Sequence, residues 1–495
     1  MTAPAPSTPP PSPAHGRALL WLVAIGFFMQ SLDGTIVNTA LPGMAQALHE
    51  SPLHMQMVVV AYALTMAVVI PATGWLADAL GVKQVYLAAI VLFTAGSLGC
   101  AMSPSLSWLI AARVLQGVGG AMLLPVGRLA VLRVFPREQF LEAMSFMAIP
   151  GLVGPLIGPT LGGWLVQAIS WHWIFLINLP IGVLGVIATL AAMPRLRSPA
   201  AGHFDASGYL MLAVAMVSAS LALDGMGGLA LKHVIVLVLL LLGLSMLTAY
   251  WLHALRSPAP LFPPRLFGIQ SYRVGLLGNL FARIGSGAMP YMIPLLMQLG
   301  MGYSPARAGL LMLPMAIAGI FAKKIVTPVI TRLGYRRVLL GNTVLLGALM
   351  ASFALMAAAQ PMWLRISQLV AFGAVNSLQF TAMNTVTLKS LDADGAAAGN
   401  SLFSMVQMLA MSMGVSVAAG LLTAAADWLH VSARAGGAQA LPAFQLTLVI
   451  LGLMTIGSAF IFWQIESDPV QIIERQRAPN GGAPDKTPQA AQAEK

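Results

Sequence analysis

The sequence is poor in charged residues and almost devoid of cysteine. Charged residues make up 8% of the 495 positions, against about 25% in a typical soluble domain, so the chain lacks the polar surface that a water-soluble globule needs. Its single cysteine, Cys100, lies in an apolar run, which excludes a disulfide framework and a multi-cysteine metal site. All eight histidines lie in tails, in loops or at the ends of apolar runs. We therefore expect no metal site, no haem and no intramembrane metalloprotease centre.

Apolar residues, by contrast, are abundant. Hydrophobic residues make up 58% of the chain and are gathered in long runs, which is the composition of a protein embedded in a lipid bilayer. The net charge of +11 does not indicate a nucleic-acid partner, because the basic residues stand in short loops between the apolar runs. Residues 1–16 and 466–495 are polar and contain several prolines, so we expect disordered tails at both ends.

Fourteen apolar segments between the tails come near the length of about 20 residues that a spanning helix needs. Backbone groups in lipid must be satisfied within their own segment, and the runs do not alternate as barrel strands do, so we expect helices. The predicted fold is an all-α membrane protein with a six-helix bundle at 17–193, two inserted helices at 207–253 and a second six-helix bundle at 274–465. The predicted spans are 18–41, 55–75, 85–102, 108–131, 143–166, 173–193, 207–223, 233–253, 274–297, 307–322, 337–359, 363–386, 399–424 and 444–465.

The basic residues predict the orientation of these spans. With the N-terminus in the cytoplasm, nineteen of the 26 Lys and Arg residues fall in cytoplasmic loops and tails, Lys323 and Lys324 among them. Basic residues are enriched on the cytoplasmic side of membrane proteins, so we expect both termini in the cytoplasm. Three basic residues fall outside and the remaining four lie within spans: Lys232, Arg307 and Arg434, then Arg113, Arg128, Arg283 and Arg365.

The chain contains a weak internal repeat. Residues 79–87, ALGVKQVYL, follow the second span, and residues 332–340, RLGYRRVLL, follow the tenth. Gly81 matches Gly334, and Lys83 matches Arg336. Duplicated halves are typical of transporters, and they favour alternation between two halves over a fixed pore.

Asp33 is the one acidic residue well inside a predicted span. Ionisable groups at that depth cost about 2.5–3.5 kcal/mol on insertion scales, so they are functional candidates. Asp33 and Arg113 lie at similar depths from the outer ends of spans one and four, and they can pair if those spans are neighbours. Two interpretations stay open: Asp33 is a proton acceptor that titrates in step with conformation, or the pair is a static structural one.

Other polar groups in the spans permit weaker expectations. Arg283 either bonds helix-end carbonyls or faces the cavity and meets an anionic group on the substrate. Arg365 is expected to snorkel outward, and Asp224 is expected to reach water at the outer end of its span. The net positive interior does not favour a bulky dication as substrate. Further candidates for lining a cavity are Asn38, Gln116, Asn279 and Asn376.

The loop GWLADALGVKQ, at 74–84, resembles a signature of the major facilitator superfamily. The resemblance implies a latch on the cytoplasmic face in which Asp78 helps to hold the two halves together. Gly81 permits the tight turn. The signature is incomplete, because Lys83 is the only one of its usual basic residues that is present. The latch residues are Gly74, Asp78, Gly81 and Lys83.

Spans four and five carry two further signatures of that superfamily. ARVLQGVGGAMLLPVGRLAV, at 112–131, resembles a motif whose arginine, here Arg113, takes part in proton transfer. GLVGPLIGPTLGGWL, at 151–165, resembles the antiporter signature of drug:proton exchangers, and its regularly spaced glycines predict a flat face for close helix packing. The antiporter residues are Gly154, Pro155, Gly158, Pro159, Gly162 and Gly163.

With SLDGTIVNTALPGMAQAL at 31–48 and WHWIFLINLPIGVL at 171–184, the chain is similar throughout to the fourteen-helix drug:proton antiporters of the EmrB/QacA type. The resemblance implies a proton-coupled antiporter that exports small molecules by alternating access, with the proton gradient in place of a cofactor. It also implies a monomer in the bacterial inner membrane and no enzymatic activity.

An exporter with a narrower substrate specificity would share this fold. Its substrate would be an organic anion, an amino acid or a metal chelate, and the positive interior favours it. A membrane enzyme or sensor is disfavoured, because the loops are too short for a soluble domain and no catalytic constellation is present.

Overall fold

A computed structural model describes residues 13–135, 137–195, 203–226, 232–357, 360–391, 393–431 and 439–465. Most of the two predicted tails lies outside these ranges. The first helix nevertheless begins at Pro13, so the last residues of the predicted N-terminal tail are helical. "Outer" and "inner" below follow the predicted orientation, with the inner side cytoplasmic.

The described part of the chain is built of α-helices joined by short turns. Backbone hydrogen bonds within each helix satisfy the polar groups that lipid cannot. The helices are α1 Pro13–Ala47, α2 Gln56–Leu80, α3 Val82–Ala101, α4 Leu106–Val134, α5 Arg137–Ala168, α6 Trp173–Leu176, α7 Asn178–Ala192, α8 Ala206–Met226, α9 His233–Arg256, α10 Gln270–Leu295, α11 Pro305–Leu333, α12 Tyr335–Ser352, α13 Met362–Leu388, α14 Ala393–Trp428 and α15 Leu441–Phe462.

Thirteen helical segments in the described ranges are long and apolar enough to cross a membrane. The short α6 and the following α7 form one of them, Trp173–Ala192. α13 is the fourteenth span. Its 27 residues are ample for a bilayer, and it is less apolar because it carries Arg365, Gln368, Asn376, Gln379 and Asn384. The predicted all-α fold with fourteen spans is confirmed.

The spans pack as two six-helix bundles and an inserted hairpin. In the N-terminal bundle α1 packs on α5, α4 packs on α2 and α3, and α7 packs on α3 and α1. In the C-terminal bundle α11 packs on α13, α12 on α15 and α10 on α14. The bundles meet where α5 contacts α11, α2 contacts α14 and α1 contacts α10. The hairpin of α8 and α9 lies against α14 and α2, so it covers one of these three contacts.

The internal repeat has a structural counterpart in two turns. Gly81 joins α2 to α3 with φ 97°, and Gly334 joins α11 to α12 with φ 78°. Both values fall in the left-handed region, where a side chain is strained and glycine is not. The two glycines therefore occupy equivalent turns after the second helix of each half.

The inner half of α11 differs from the sequence-based expectation. The predicted tenth span stops at residue 322, which placed Lys323 and Lys324 in a cytoplasmic loop. The helix instead continues to Leu333, and both lysines are exposed side chains inside it. The prediction was wrong because the span was ended at the first charged residue of the apolar run. The helix itself tolerates charged side chains on a face that no other helix covers.

Candidate functional site

The centre of the N-terminal bundle holds a buried ion pair. Asp33 on α1 is 0% exposed and Arg113 on α4 is 1% exposed. The Nη1 atom of Arg113 donates a hydrogen bond of 2.6 Å to Oδ2 of Asp33. Spans one and four are thus neighbours, and the two charges that the sequence placed at similar depth are in contact. A buried charge is tolerated in this way because its opposite lies within hydrogen-bonding distance.

A ring of hydrogen bonds completes the coordination of Asp33. Gln116 lies one turn after Arg113 on the same face of α4, accepts a 2.7 Å bond from Arg113 Nη1 and donates one of 2.7 Å to Asp33 Oδ1. Asn178, at the start of α7, donates to the same Asp33 oxygen at 3.3 Å. Ser97 on α3 accepts from both amides, at 2.8 Å from Gln116 and 3.3 Å from Asn178. Four helices therefore fix the position of one carboxylate.

The guanidinium of Arg113 is also held from α2. Its Nε donates a 3.1 Å bond to the carbonyl of Val58, and its central carbon lies 4.1 Å from the ring centroid of Tyr62, a distance at which the aromatic face attracts a cation. Asp33 and Arg113 together thus connect α1, α2 and α4. Sequence reasoning missed Ser97, Asn178 and Tyr62, because a lone serine, asparagine or tyrosine in an apolar run carries no periodic signal.

The antiporter motif on α5 packs against two different helices. A methyl group added at Gly154 would lie 2.7 Å from the backbone nitrogen of Leu32, and one added at Gly162 would lie 2.5 Å from the carbonyl oxygen of Ile36, both on α1. At Gly158 it would collide with the hydroxyl of Thr35 on the same helix. Glycine at these positions lets α5 lie directly on the helix that carries Asp33.

Gly163 belongs to a second face of α5, which meets the C-terminal bundle. A side chain at Gly163 would collide with the carbonyl of Pro305 on α11, and one at Gly309 on α11 would collide with the carbonyl of Pro159. The hydroxyl of Thr160 donates a 2.9 Å bond to the carbonyl of Gly309. Backbone therefore meets backbone across this bundle contact between α5 and α11.

A second outer contact closes the same side. Gln298, just after α10, donates a 3.0 Å hydrogen bond to the carbonyl of Thr39 on α1. On α2 and α14, Gln56 and Ser416 both lie beside Asp224 of α8. We call the outer contacts between the bundles, at α5–α11, at α1–α10 and at this part of α2 and α14, the outer seam.

The inner halves of α5 and α11 carry exposed side chains. Ile149 and Leu152 continue the α11-facing side of α5 by helical spacing, yet they are 60% and 36% exposed. Lys323 and Thr327 continue the α5-facing side of α11 and are also exposed. The close contacts between α5 and α11 described above thus lie toward the outer ends of the two helices.

The predicted cavity residues fall into two groups. Gln116 belongs to the Asp33 network, and Asn38 is buried nearby on α1 with an unpartnered Oδ1 among the described residues. On α10, Asn279 is fully buried, and its Oδ1 lies 3.5 Å from Nη1 of the half-buried Arg283. Asn376 on α13 is half-buried. One candidate group thus lies in each bundle.

Arg283 has no carboxylate partner within the described ranges. Its guanidinium carbon lies 4.5 Å from the ring centroid of Phe380 on α13, and the ion pairs found in the described chain all involve other residues. An unneutralised cation in the interior of a membrane protein is available to an anionic group.

The predicted cytoplasmic latch does not reach the C-terminal bundle. Asp78 forms an ion pair with Arg133 at the end of α4, and Lys83 donates a 2.7 Å bond to the carbonyl of Leu190 on α7. Gly74 has open space beside it, and Gly81 forms the turn. These bonds stay inside the N-terminal bundle.

Two predictions about charges at span ends were wrong. Asp224 on α8 is 1% exposed and does not reach water. Arg365 is 4% exposed and does not snorkel: it donates to the carbonyls of Ala357 and Gln360 and to the hydroxyl of Tyr303. The loop before α13 folds back over Arg365, which run length alone does not reveal.

Comparison with known proteins agrees with this architecture. Residues 23–415 match the Major Facilitator Superfamily. The chain is 54% identical over 403 residues to the "Putative multidrug resistance protein MdtD" of Serratia proteamaculans, covering 81% of this chain and 84% of that one. It is 48% identical over 459 residues to the protein of the same name from Pectobacterium atrosepticum, covering 93% and 98%.

Solved structures share the fold at low sequence identity. A POT family transporter in complex with a thioalcohol conjugated peptide aligns with a TM-score of 0.66 at 15% identity, covering 90% of this chain and 95% of that one. The nucleoside transporter NupG aligns with a TM-score of 0.61 at 15% identity, covering 90% and 100%. At this identity the likeness concerns the fold alone. The family match and the MdtD relatives show that the chain belongs to the major facilitator superfamily, among MdtD-type proteins, and is a membrane transporter.

Proposed function

We propose that the protein is a proton-coupled antiporter that exports small molecules by alternating access across the bacterial inner membrane. The observation that carries the proposal is the Asp33 network, a carboxylate fixed by Arg113, Gln116 and Asn178 in the core of one bundle. The MdtD relatives are named for multidrug resistance, which supports export as the direction. The proposal includes a monomer with both termini in the cytoplasm.

Protonation of Asp33 would change the packing of four helices. The neutral acid no longer balances Arg113, whose guanidinium would stay buried between Tyr62 and the Val58 carbonyl. An uncompensated buried charge is strongly destabilising, so the protonated bundle would favour a different arrangement of α1, α2 and α4. Coupling then requires that proton and substrate favour different states of the same two-state equilibrium.

Contacts between the outer ends of the bundles support assigning this structure to the state in which a substrate would load from the cytoplasm. The outer seam is closed by the contacts of Gly163 with Pro305 and of Gln298 with Thr39. Export then proceeds by opening of this seam, release of the substrate, and entry of a proton from outside to Asp33.

A second candidate substrate class is an organic anion. Arg283 has no carboxylate partner in the described chain, and Lys323 and Lys324 are exposed on the inner half of α11. Three cations near a cytoplasm-facing opening attract anions more than cations. This candidate keeps the fold and the proton coupling and changes the substrate.

The test is transport in proteoliposomes driven by an imposed pH gradient. The lipophilic cation ethidium and a series of small carboxylates are offered separately to the wild type and to Asp33→Asn. We expect gradient-driven movement in the wild type and none above empty liposomes in the variant. Movement of the carboxylates alone selects the organic-anion candidate. Equal gradient-driven movement in both proteins would contradict a coupling role for Asp33.

A further inference from the structure

A second buried carboxylate lies at the outer end of the inserted hairpin. Asp224, near the end of α8, is 1% exposed. Its Oδ1 accepts a long bond of 3.5 Å from the side chain of Gln56, which is itself 0% exposed at the start of α2. Its Oδ2 is buried and accepts no hydrogen bond of ordinary geometry from the described residues, although the hydroxyl of Ser416 on α14 lies close enough to interact with the carboxylate. One turn earlier, the hydroxyls of Ser220 on α8 and Ser412 on α14 lie 3.3 Å apart.

These contacts place Asp224 beside the outer seam. α2 belongs to the N-terminal bundle and α14 to the C-terminal bundle, and the two pack against each other under α8. Asp224 touches α2 through Gln56, and the neighbouring Ser220 touches α14. Its environment therefore depends on whether the two bundles are together at their outer ends.

The neighbours of Asp224 are polar but uncharged. Gln56 faces it from α2, and Ser416 faces it from α14. Lys232 and His233, at the start of α9, are exposed and form no ion pair with it, and Glu50 and His54, just before Gln56 in the chain, pair with each other. This contrasts with Asp33, which has an arginine and two amide donors. A buried carboxylate without a cation is far more costly ionised than neutral, so the closed seam favours the protonated acid.

We propose that Asp224 is a proton-binding site that responds to the external pH and holds the outer seam closed when it is protonated. When the seam opens, water reaches the carboxylate, and the ionised form becomes favourable. Protons from outside therefore favour closure, and ionisation favours opening. Because the site lies at the outer end, its proton returns to the side from which it came and is not transported. The inference rests on the alternating access of the proposed function but not on proton coupling through Asp33.

The first measurement detects the protonation of Asp224 directly. Infrared spectra of the purified protein are recorded through a pH titration, and the spectrum of Asp224→Asn is subtracted from that of the wild type. We expect the carbonyl band of a neutral carboxylic acid that persists at neutral pH. A difference spectrum showing only ionised carboxylate at neutral pH would overturn the proposal.

The second measurement tests the link to the seam. Thr160→Cys places a thiol at a half-buried side chain whose hydroxyl donates across the seam to the carbonyl of Gly309. Its rate of reaction with a membrane-impermeant maleimide added outside reports opening, and the parent protein gives the background from the buried Cys100. We expect a several-fold slower reaction as the external pH falls, beyond the change due to the thiol itself. Adding Asp224→Asn should make the reaction slow and leave only the thiol's own pH dependence.

Three further variants protect this experiment against misfolding and misassignment. Gln56→Leu removes the donor to the carboxylate, so closure should persist to higher pH. Ser218→Ala, on the same helix but facing Gly243 of α9 and without a titratable group, should leave the response unchanged. Asp33→Asn should abolish coupled transport while the response at Thr160→Cys remains, which separates the two claims. The proposal fails if the Asp224→Asn protein responds to pH as its parent does, or if Gln56→Leu leaves the response unshifted.

Discussion

Arg113 donates from one nitrogen, Nη1, to both Asp33 and Gln116, at 2.6 and 2.7 Å, while Gln116 returns a 2.7 Å bond to the other oxygen of Asp33. The three side chains form a closed ring in which each residue contacts the other two. One proton added to Asp33 removes the charge that balances Arg113. A proton bound at this ring would therefore change the charge balance between α1 and α4.

Asp33→Asn and Asp33→Ala should differ in stability, although neither can carry a proton. Asparagine retains a side-chain oxygen as an acceptor for Arg113, whereas alanine leaves the guanidinium buried without a partner. Removing one member of a buried pair costs about 3–5 kcal/mol, so we expect Asp33→Ala to unfold at a clearly lower temperature than Asp33→Asn. Thermal unfolding of the purified proteins in detergent measures this. Equal unfolding temperatures would mean that Asp33 does not balance Arg113 in the folded protein.

Gly163→Val should open the outer seam without disturbing the N-terminal bundle. The valine side chain would collide with the carbonyl of Pro305 on α11, and overpacking of this kind costs about 1–3 kcal/mol. If this cost falls on the closed state alone, the equilibrium between the closed and open seam shifts toward the open seam by about 5- to 150-fold. We expect the maleimide reaction of Thr160→Cys to accelerate accordingly.

The neighbouring Gly162→Val is the matched control. Gly162 faces Ile36 and Thr39 on α1, inside one bundle, so valine there should lower the unfolding temperature without selectively exposing Thr160→Cys. Acceleration by both variants alike would show that the reaction reports general loosening rather than opening of the seam.

Arg283→Gln should discriminate between substrate classes. If Arg283 binds an anionic group, its loss removes a charged hydrogen bond worth about 1.5–3 kcal/mol, or about ten- to a hundredfold in affinity. Arg283→Lys keeps the charge but loses the planar fork, so we expect an intermediate loss. Transport of carboxylates and of ethidium by the two variants is the measurement. Unchanged carboxylate transport by Arg283→Gln would show that Arg283 does not bind the substrate and has a structural role.

Asp205 should make the inserted hairpin sensitive to acid. Its side chain is 7% exposed, and burial raises its pKa, but hydrogen bonds from the amides of Gly208 and Leu261 and from His253 outweigh burial and hold the pKa below its ordinary value. A carboxylate with a depressed pKa stabilises the fold at pH values above the unfolded pKa of about 3.9. This stabilisation is lost as the pH falls through the lower folded value.

Two substitutions at Asp205 distinguish the contribution of its hydrogen bond at the start of α8 from the contribution of its charge. Asp205→Ala removes the N-cap of α8 and should cost about 1 kcal/mol, whereas Asp205→Asn keeps a capping oxygen and loses the charge. In thermal unfolding followed against pH, the wild type should exceed Asp205→Asn at neutral pH and approach it in acid. A difference that stays constant across the acid range would contradict a role for the ionised carboxylate.

Much of the fold could be predicted because a bilayer imposes one length on every span. Apolar runs therefore located the helices. The similar depths of Asp33 and Arg113 in their spans predicted that the two residues could pair. Ser97 and Asn178 were missed because no sequence pattern marks them. They are small polar residues, and their contacts with the Asp33 network depend on which helices are neighbours.

The errors arose where tertiary packing decides. Charge ended the predicted tenth span before Lys323, although the helix continues there with an uncovered face. Asp224 was expected in water because it lies at a span end, but α2 and α14 bury it. Helix neighbours, rather than local composition, determine these outcomes.

The central claim is that Asp33 carries the exchanged proton, and the most direct measurement is proton release by the purified protein in weakly buffered detergent. Ethidium and small carboxylates are added to the wild type and to Asp33→Asn, with binding to each protein confirmed by calorimetry. The account predicts that a bound solute displaces a proton from the wild type and none from Asp33→Asn. Equal proton release by both proteins at equal binding would contradict it and leave the Asp33–Arg113 pair as a structural one.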